Sequence, residues 1–253
     1  MIYVTGDTHG DFTRFNTKKF PVQKQMTKND FVIICGDFGG VWDNSMKDNY
    51  WLDWLNDKPF TTLFVSGNHE NFDLLGEIPV SEWKGGKVQL VRDSIIHLMR
   101  GQIYDIDGKL CFTMGGASSH DIEGGILELD DPYYKLKQKR LKRQKLSYRT
   151  NHVSWWKEEL PSDEEYRTAR DHLAAYGWKV DYIFTHCCPS SVQDLLVEEE
   201  KQQDRLTDFF DELKNSCTFD YWFCGHYHVN QVLMEKYIVL YEKILQTDNI
   251  DIC

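Results

Sequence analysis

Five apolar, β-rich runs in this chain each stop at a polar side chain, four of them through a glycine. "YVTG" precedes Asp7, "IICG" precedes Asp37, "FVSG" precedes Asn68 and "WFCG" precedes His226, while "YIFT" leads into His186. Runs that are apolar throughout read as strands covered on both faces. "LCFTM" at 110–114 and "KYIVLY" at 236–241 belong to the same class. Segments of helical spacing lie between several of these runs. Residues 45–57 place Met46, Tyr50, Trp54 and Asp57 along one face, with Trp51 and Leu55 beside it. "SDEEYRTARDHLAAYG" opens with a capping box from Ser162 to Glu165 and closes at Gly177, and "QQDRLTDFFDELKNS" at 202–216 is amphipathic. Strands alternating with helices predict an α/β fold with a largely buried sheet. Ligands of such sheets gather beyond the carboxyl ends of the strands, which is where these five polar residues fall.

Two of the ends carry a second candidate two residues on: Asp7 with His9, and His226 with His228. In extended chain such a pair projects to one side, about 6–7 Å apart. That separation can serve two metal ions about 3.5–4 Å apart. With Asp37, Asn68, His69 and His186 the set reaches eight residues, rich in imidazole and oxygen and free of thiolate. Donors of this kind favour two divalent or transition ions such as Mn, Fe or Zn over a structural zinc–cysteine site. Any one Asp, Asn or Gly after a strand is an ordinary turn residue. Five ends converging on one edge are not explained that way.

The alternation breaks over 118–180, read as a helical, cap-like insertion on a single domain spanning 1–253. Within it "KLKQKRLKRQK" at 135–145 reads as a solvated helix, or as a partner surface. The net charge of −11 disfavours nucleic acid and anionic membranes as partners, and bound cations would overcome that field for an anionic substrate. No apolar stretch is long enough for a membrane span. The opening "MIYVTGDTHG" has no secretory character. Seven cysteines without a CxxC pair fit reduced thiols, so a cytoplasmic location is expected.

The motifs "GDTHG" at 6–10, "GDFGG" at 36–40, "GNHE" at 67–70, "THC" at 185–187 and "GHYH" at 225–228 resemble, in order, those of the calcineurin-like metallophosphoesterases. The resemblance covers almost the whole chain. It implies a four-layer αββα sandwich with a dinuclear metal centre at one sheet edge. Asp7, His9 and His228 would hold one ion, and Asn68, His186 and His226 the other. Asp37 would bridge them, and His69 would stand beside the second ion without binding it.

The activity so implied is hydrolysis of a phosphate mono- or diester of a small molecule or nucleotide. A metal-bridging hydroxide would attack in line, and His69 would protonate the leaving group. Glu70 could orient His69 or serve only the turn. The Ser/Thr protein phosphatase branch carries GDxVDRG. Here Gly40 replaces its Asp and no Arg follows, which leaves Asp43 or Asp73 as alternative orienting carboxylates. Arg149, His152 and His120 are the candidate substrate contacts, with the Trp155–Trp156 pair near the first two. A phosphoprotein phosphatase, a nuclease and a non-catalytic metal-binding scaffold are the competing readings.

Overall fold

A computed structural model describes residues 1–196 and 203–250. The strands in its first half are β1 (Ile2–Thr5), β2 (Phe31–Cys35), β3 (Thr61–Val65), β4 (Val80–Trp83), β5 (Gly86–Arg92), β6 (Ile95–Leu98), β7 (Gln102–Ile106) and β8 (Lys109–Met114). They are followed by β9 (Ile126–Leu127), β10 (Arg149–Thr150), β11 (Tyr182–Thr185), β12 (Tyr221–Cys224), β13 (Gln231–Leu233), β14 (Tyr237–Val239) and β15 (Leu245–Gln246). Helices are α1 (Met46–Asn56), α2 (Phe72–Glu77), α3 (Tyr134–Gln144), α4 (Asp163–Ala175), α5 (Ser190–Gln193) and α6 (Arg205–Ser216). None of the described helices is long and apolar enough to cross a membrane.

One sheet runs β15-β1-β2-β3-β6-β5-β4 and a second runs β13-β14-β12-β11-β8-β7. Strands β1, β2 and β3 are mutually parallel, as are β8, β11 and β12. Strand alternation divides the core into three apolar layers. Ile33 and Cys35 of β2 face inward and meet Phe184 of β11 and Phe223 of β12. Val32 and Ile34 face outward, with Leu52 and Leu55 of α1. On the other sheet Ile183 and Trp222 face Tyr166, Ala169 and Leu173 of α4 and Phe210 and Leu213 of α6. The order of layers is therefore helix, sheet, sheet, helix, as the resemblance implies.

Helix α1 packs on the sheet through Leu52 and Leu55, with Trp51 and Trp54 against the same cluster. Met46 is 92% exposed and Tyr50 62%, while Leu52 and Leu55 are buried. The segment 118–180 has two characters. Helix α3 buries no residue, as a solvated basic helix should, and β9 pairs with β10 apart from the main sheets. Helix α4 forms its capping box at Ser162 and Glu165, but its apolar face belongs to the main core. Helix α6 begins after Asp204, whose side chain caps it; Gln202, the first residue of that expected stretch, lies outside the described residues.

His97 on β6 illustrates how the outer layer is held. Gln89 donates through Nε2 to the carbonyls of Leu75 (2.7 Å) and Ile78 (3.0 Å), so its Oε1 accepts from His97 Nδ1 at 2.7 Å. The imidazole stacks on Phe64 with ring centroids 4.9 Å apart. Burial, reinforced by the charge of Arg100, pushes the His97 pKa from 6.5 down to about 3. Between those values the unfolded chain binds the extra proton, so stability falls as pH falls. From pH 7 to pH 5 this residue should remove about 2 kcal/mol of unfolding free energy. Urea titrations of His97→Leu should show a flatter pH dependence over that range, and an unchanged slope would refute the assignment.

Candidate metal centre

All five polar strand ends meet where the carboxyl edges of the two sheets come together. His186, the residue after β11, crosses from the second sheet to the first. Its Nδ1 donates to the carbonyl of Cys35 at 2.7 Å, which leaves Nε2 pointing at Asn68 Oδ1 (3.1 Å) and Asp37 Oδ1 (3.3 Å). The approach requires glycine. A Cβ on Gly36, whose φ is +88°, would lie 2.2 Å from His186 Nδ1, and one on Gly225 would lie 2.2 Å from Asp7 Oδ1.

Asp37 is buried, and its two oxygens look in different directions. Oδ1 accepts the backbone N–H of His69 at 2.8 Å and faces His186, whereas Oδ2 lies 3.8 Å from His9 Nε2. Asp7 Oδ1 accepts the backbone N–H of His226 at 2.9 Å. Its Oδ2 is buried without a hydrogen-bond partner, 3.2 Å from His228 Nε2 and 3.7 Å from His9 Nε2. The two exposed imidazoles approach each other, Nε2 to Nε2, at 3.2 Å.

The Asp7–His9 and His226–His228 pairs do not use the extended geometry expected of them. His9, Asp37, His226 and His228 all have positive φ, at 46°, 45°, 72° and 51°. Left-handed turns, rather than strand pleat, aim these side chains. Such φ values are uncommon outside glycine and persist where surrounding structure fixes them. Among the fixing contacts are the N–H groups of Thr8 and His9, which donate to the Asp37 carbonyl at 3.1 and 2.8 Å. Arg14 donates to the carbonyls of Asp7 and Tyr241, each at 2.5 Å.

The donor set fits cations. Donor atoms of Asp7, His9 and His228 lie within 4.8 Å of one another, as do those of Asp7, Asp37 and His186. Ligands about 2.0–2.2 Å from a common ion span such distances. Burial opposes charge on His186, but Asp37 and Asp7 outweigh it and raise its pKa to about 9. Nε2 faces two acceptor oxygens, of Asn68 and Asp37, across the place a metal would take. Burial and the charge of His186 drive His226 down to about 3, leaving a neutral imidazole.

Asn68 owes its orientation to residues that the sequence reading missed. Its Nδ2 donates to Ser119 Oγ at 3.4 Å, and Ser119 binds the buried Glu159 through Oγ (2.6 Å) and N–H (3.0 Å). This aims the amide oxygen at His186. No local motif signals Glu159; it arrives from the turn preceding α4.

His69 stands at the edge of the centre, its ring centroid 5.5 Å from that of His9. Arg149 Nη2 lies 3.4 Å from His69 Nε2, and Asp121 grips that guanidinium through Nε (2.9 Å) and Nη2. Burial lowers the His69 pKa, Asp37 opposes that, and Arg149 reinforces it. Glu70 does not touch the ring. Its buried carboxylate accepts the N–H groups of Phe38 (2.8 Å), Gly39 (3.3 Å) and Gly67 (3.4 Å), clamping two loops together. Burial and Asp37 push it up to about 8 against those three donors. Asp73, one of the two carboxylates considered for orienting His69, instead accepts from His152 Nδ1 at 2.9 Å and Trp156 Nε1 at 2.7 Å. His120 is exposed, with its ring 6.0 Å from that of His226.

The family model of the calcineurin-like phosphoesterases matches residues 1–230. The chain belongs to that family. It is thus a phosphoric ester hydrolase of a dinuclear metal-dependent class. It is also 28% identical over 153 residues to lariat debranching enzyme A of Xenopus laevis, which covers 53% of this chain and 27% of that protein. The chain thus spans about a quarter of that curated relative. A solved structure described as a candidate 5′-nucleotidase from Staphylococcus aureus, bound to alpha-ketoglutarate, aligns over 95% of this chain and 48% of that one, at 13% identity and a TM-score of 0.44. Within this phosphoesterase, Gly40 cannot accept the carboxylate of the protein phosphatase branch without rearrangement. A Cβ there would meet Phe38 Cε1 at 2.5 Å.

Proposed function

We propose that the chain is a single phosphoesterase domain that hydrolyses a phosphate mono- or diester of a small molecule or nucleotide. The observation that carries the reading is the buried carboxylate of Asp37, turned toward His186 on one side and His9 on the other. Asp7, His9 and His228 would hold one ion and Asn68, His186 and His226 a second, with Asp37 shared. Nitrogen and oxygen donors without thiolate favour Mn, Fe or Zn. When bound, two such ions lower the pKa of water and neutralise phosphoryl oxygens.

The chain's own groups supply the rest. Arg149, held by Asp121, offers its guanidinium to the phosphate beside His69. His69, beside Arg149 at the edge of the centre, protonates the leaving oxygen through its imidazole. Asp37 keeps His69 in place through the backbone N–H. His152 and His120 would contact the outer parts of a substrate. The described cysteines are free thiols, which supports a reducing, cytoplasmic setting.

A nuclease is the second reading, suggested by the likeness to lariat debranching enzyme A. Both readings are tested on Mn²⁺-reconstituted protein with p-nitrophenyl phosphate, bis-p-nitrophenyl phosphate, a dinucleotide and a phosphopeptide. Monoester or diester turnover that disappears on chelation is expected. Turnover of the phosphopeptide alone would reinstate the protein phosphatase, and no turnover of any substrate by metal-loaded protein would refute the hydrolytic reading.

A further inference from the structure

A cavity of about 330 Å³ opens from the metal centre at His9, His69 and Arg149 and runs outward. Its size lies at the low end of the roughly 300–1,000 Å³ of small-molecule sites, enough for one ring-bearing group and not for a polymer. Gly10, Gly39 and Gly40 also line it and leave part of its wall without side chains. Trp42 and Trp51, both half-buried, contribute aromatic surface, with the buried Phe12 behind them.

The indoles are rigidly placed. Trp42 packs edge-on against Trp156 at 5.7 Å and 79°, and Trp51 against Phe12 at 6.4 Å and 67°. Among the described residues neither indole has an aromatic ring stacked parallel on it. Asp43, Lys47 and Asp48 also line the cavity, grouped around the start of α1. Asp48 Oδ2 accepts the N–H groups of Trp42 (3.0 Å) and Asp43 (2.8 Å), which fixes this loop with both carboxylates beside the cavity. Two carboxylates against one ammonium leave this part net negative, in a chain of net charge −11.

We propose that this cavity is the leaving-group subsite and that it selects an uncharged, aromatic leaving group of nucleoside size over one that carries a further phosphate. The inference rests on the phosphoesterase reading above. In the reaction a water oxygen forms a bond to phosphorus, the bond from phosphorus to the nucleoside oxygen breaks, and that oxygen takes the proton from His69. His69 and Arg149 at the inner end place the departing oxygen toward the cavity. The base then reaches the indoles, and a second phosphate would meet Asp43 and Asp48.

The test uses the full chain reconstituted with Mn²⁺. kcat/KM is measured for adenosine 5′-monophosphate, glycerol phosphate and adenosine 3′,5′-bisphosphate. The monophosphate should exceed glycerol phosphate by about tenfold, the effect of one stacked base, and the bisphosphate by about tenfold through repulsion between its second phosphate and Asp43 and Asp48. In Trp42→Ala and Trp51→Ala the loss on the nucleotide should exceed the loss on glycerol phosphate by a similar factor, carried in KM. Asp43→Asn should narrow the gap between the bisphosphate and the monophosphate. Free adenosine should inhibit glycerol phosphate hydrolysis by the unmodified chain competitively, a measurement that holds even if the tryptophan variants misfold. Equal use of glycerol phosphate and the nucleotide, or absence of inhibition by adenosine, would overturn the subsite while leaving hydrolysis intact. Inactivity of the metal-loaded chain on all three would overturn the phosphoesterase reading and this inference with it.

Discussion

Asp37→Asn should lower kcat/KM by about a thousandfold or more and lower the bound metal in parallel, since one metal's electrostatic contribution is worth several kcal/mol. The substitution keeps the shape of the side chain and removes its charge. Asn retains one oxygen, so it can still accept the His69 N–H, but it cannot offer an anionic oxygen to both His9 and His186. His186 would lose the first of the two carboxylates that raise its pKa to about 9 and would revert toward neutrality. Loss of metal is therefore expected without gross unfolding. Elemental analysis, kinetics and thermal unfolding of the same preparation check all three parts. Full metal content with full activity would end the assignment of Asp37.

His69→Ala should behave differently. Turnover should fall by about 10²–10⁴-fold, the usual range for a positioned proton donor, while both metals remain. Among the described residues, the hydrogen bond from His69 to a ligand carboxylate is from its backbone N–H to Asp37, at 2.8 Å, which alanine preserves. The deficit should grow with the pKa of the leaving alcohol and shrink for p-nitrophenol, which departs without a proton. A variant equally impaired on alkyl and p-nitrophenyl phosphates would show that His69 serves something other than proton delivery. Arg149 would also lose its neighbour at 3.4 Å, so part of the effect should appear in KM.

The parts legible in the sequence were those written locally. A strand that is apolar throughout, then glycine, then a ligand is a short pattern, and the fold brought all five such ends together because their strands are parallel within each sheet. The reason inferred for the Asp7–His9 and His226–His228 pairs was different from the one observed. Left-handed φ is set by tertiary hydrogen bonds that no two-residue spacing reveals.

Contacts between distant segments were illegible. Ser119 and Glu159 are 40 residues apart, and Asp121 and Arg149 are 28 apart. In each case a common residue acquires its role only from its partner. Helix α1 shows how far a helical pattern goes: Leu55, Trp51 and Trp54 do pack on the sheet with Leu52, whereas Met46 and Tyr50 of the same pattern are exposed. Glu70 was left open between orienting His69 and serving the turn, and its hydrogen bonds are those of the second role. A side chain that follows a turn residue points away from it, and here it joins the loops after β2 and β3.

The ligand-bearing loops are also buttoned to one another. The oxygen of Asp7 that does not face the imidazoles receives the amide of His226, Asp37 receives that of His69, and Glu70 receives three more. A lineage drifting away from catalysis could not discard these carboxylates one at a time, because each deletion would also unfasten a neighbouring turn. Inactive descendants should therefore either keep the full constellation as a fossil or replace whole loops in a single step.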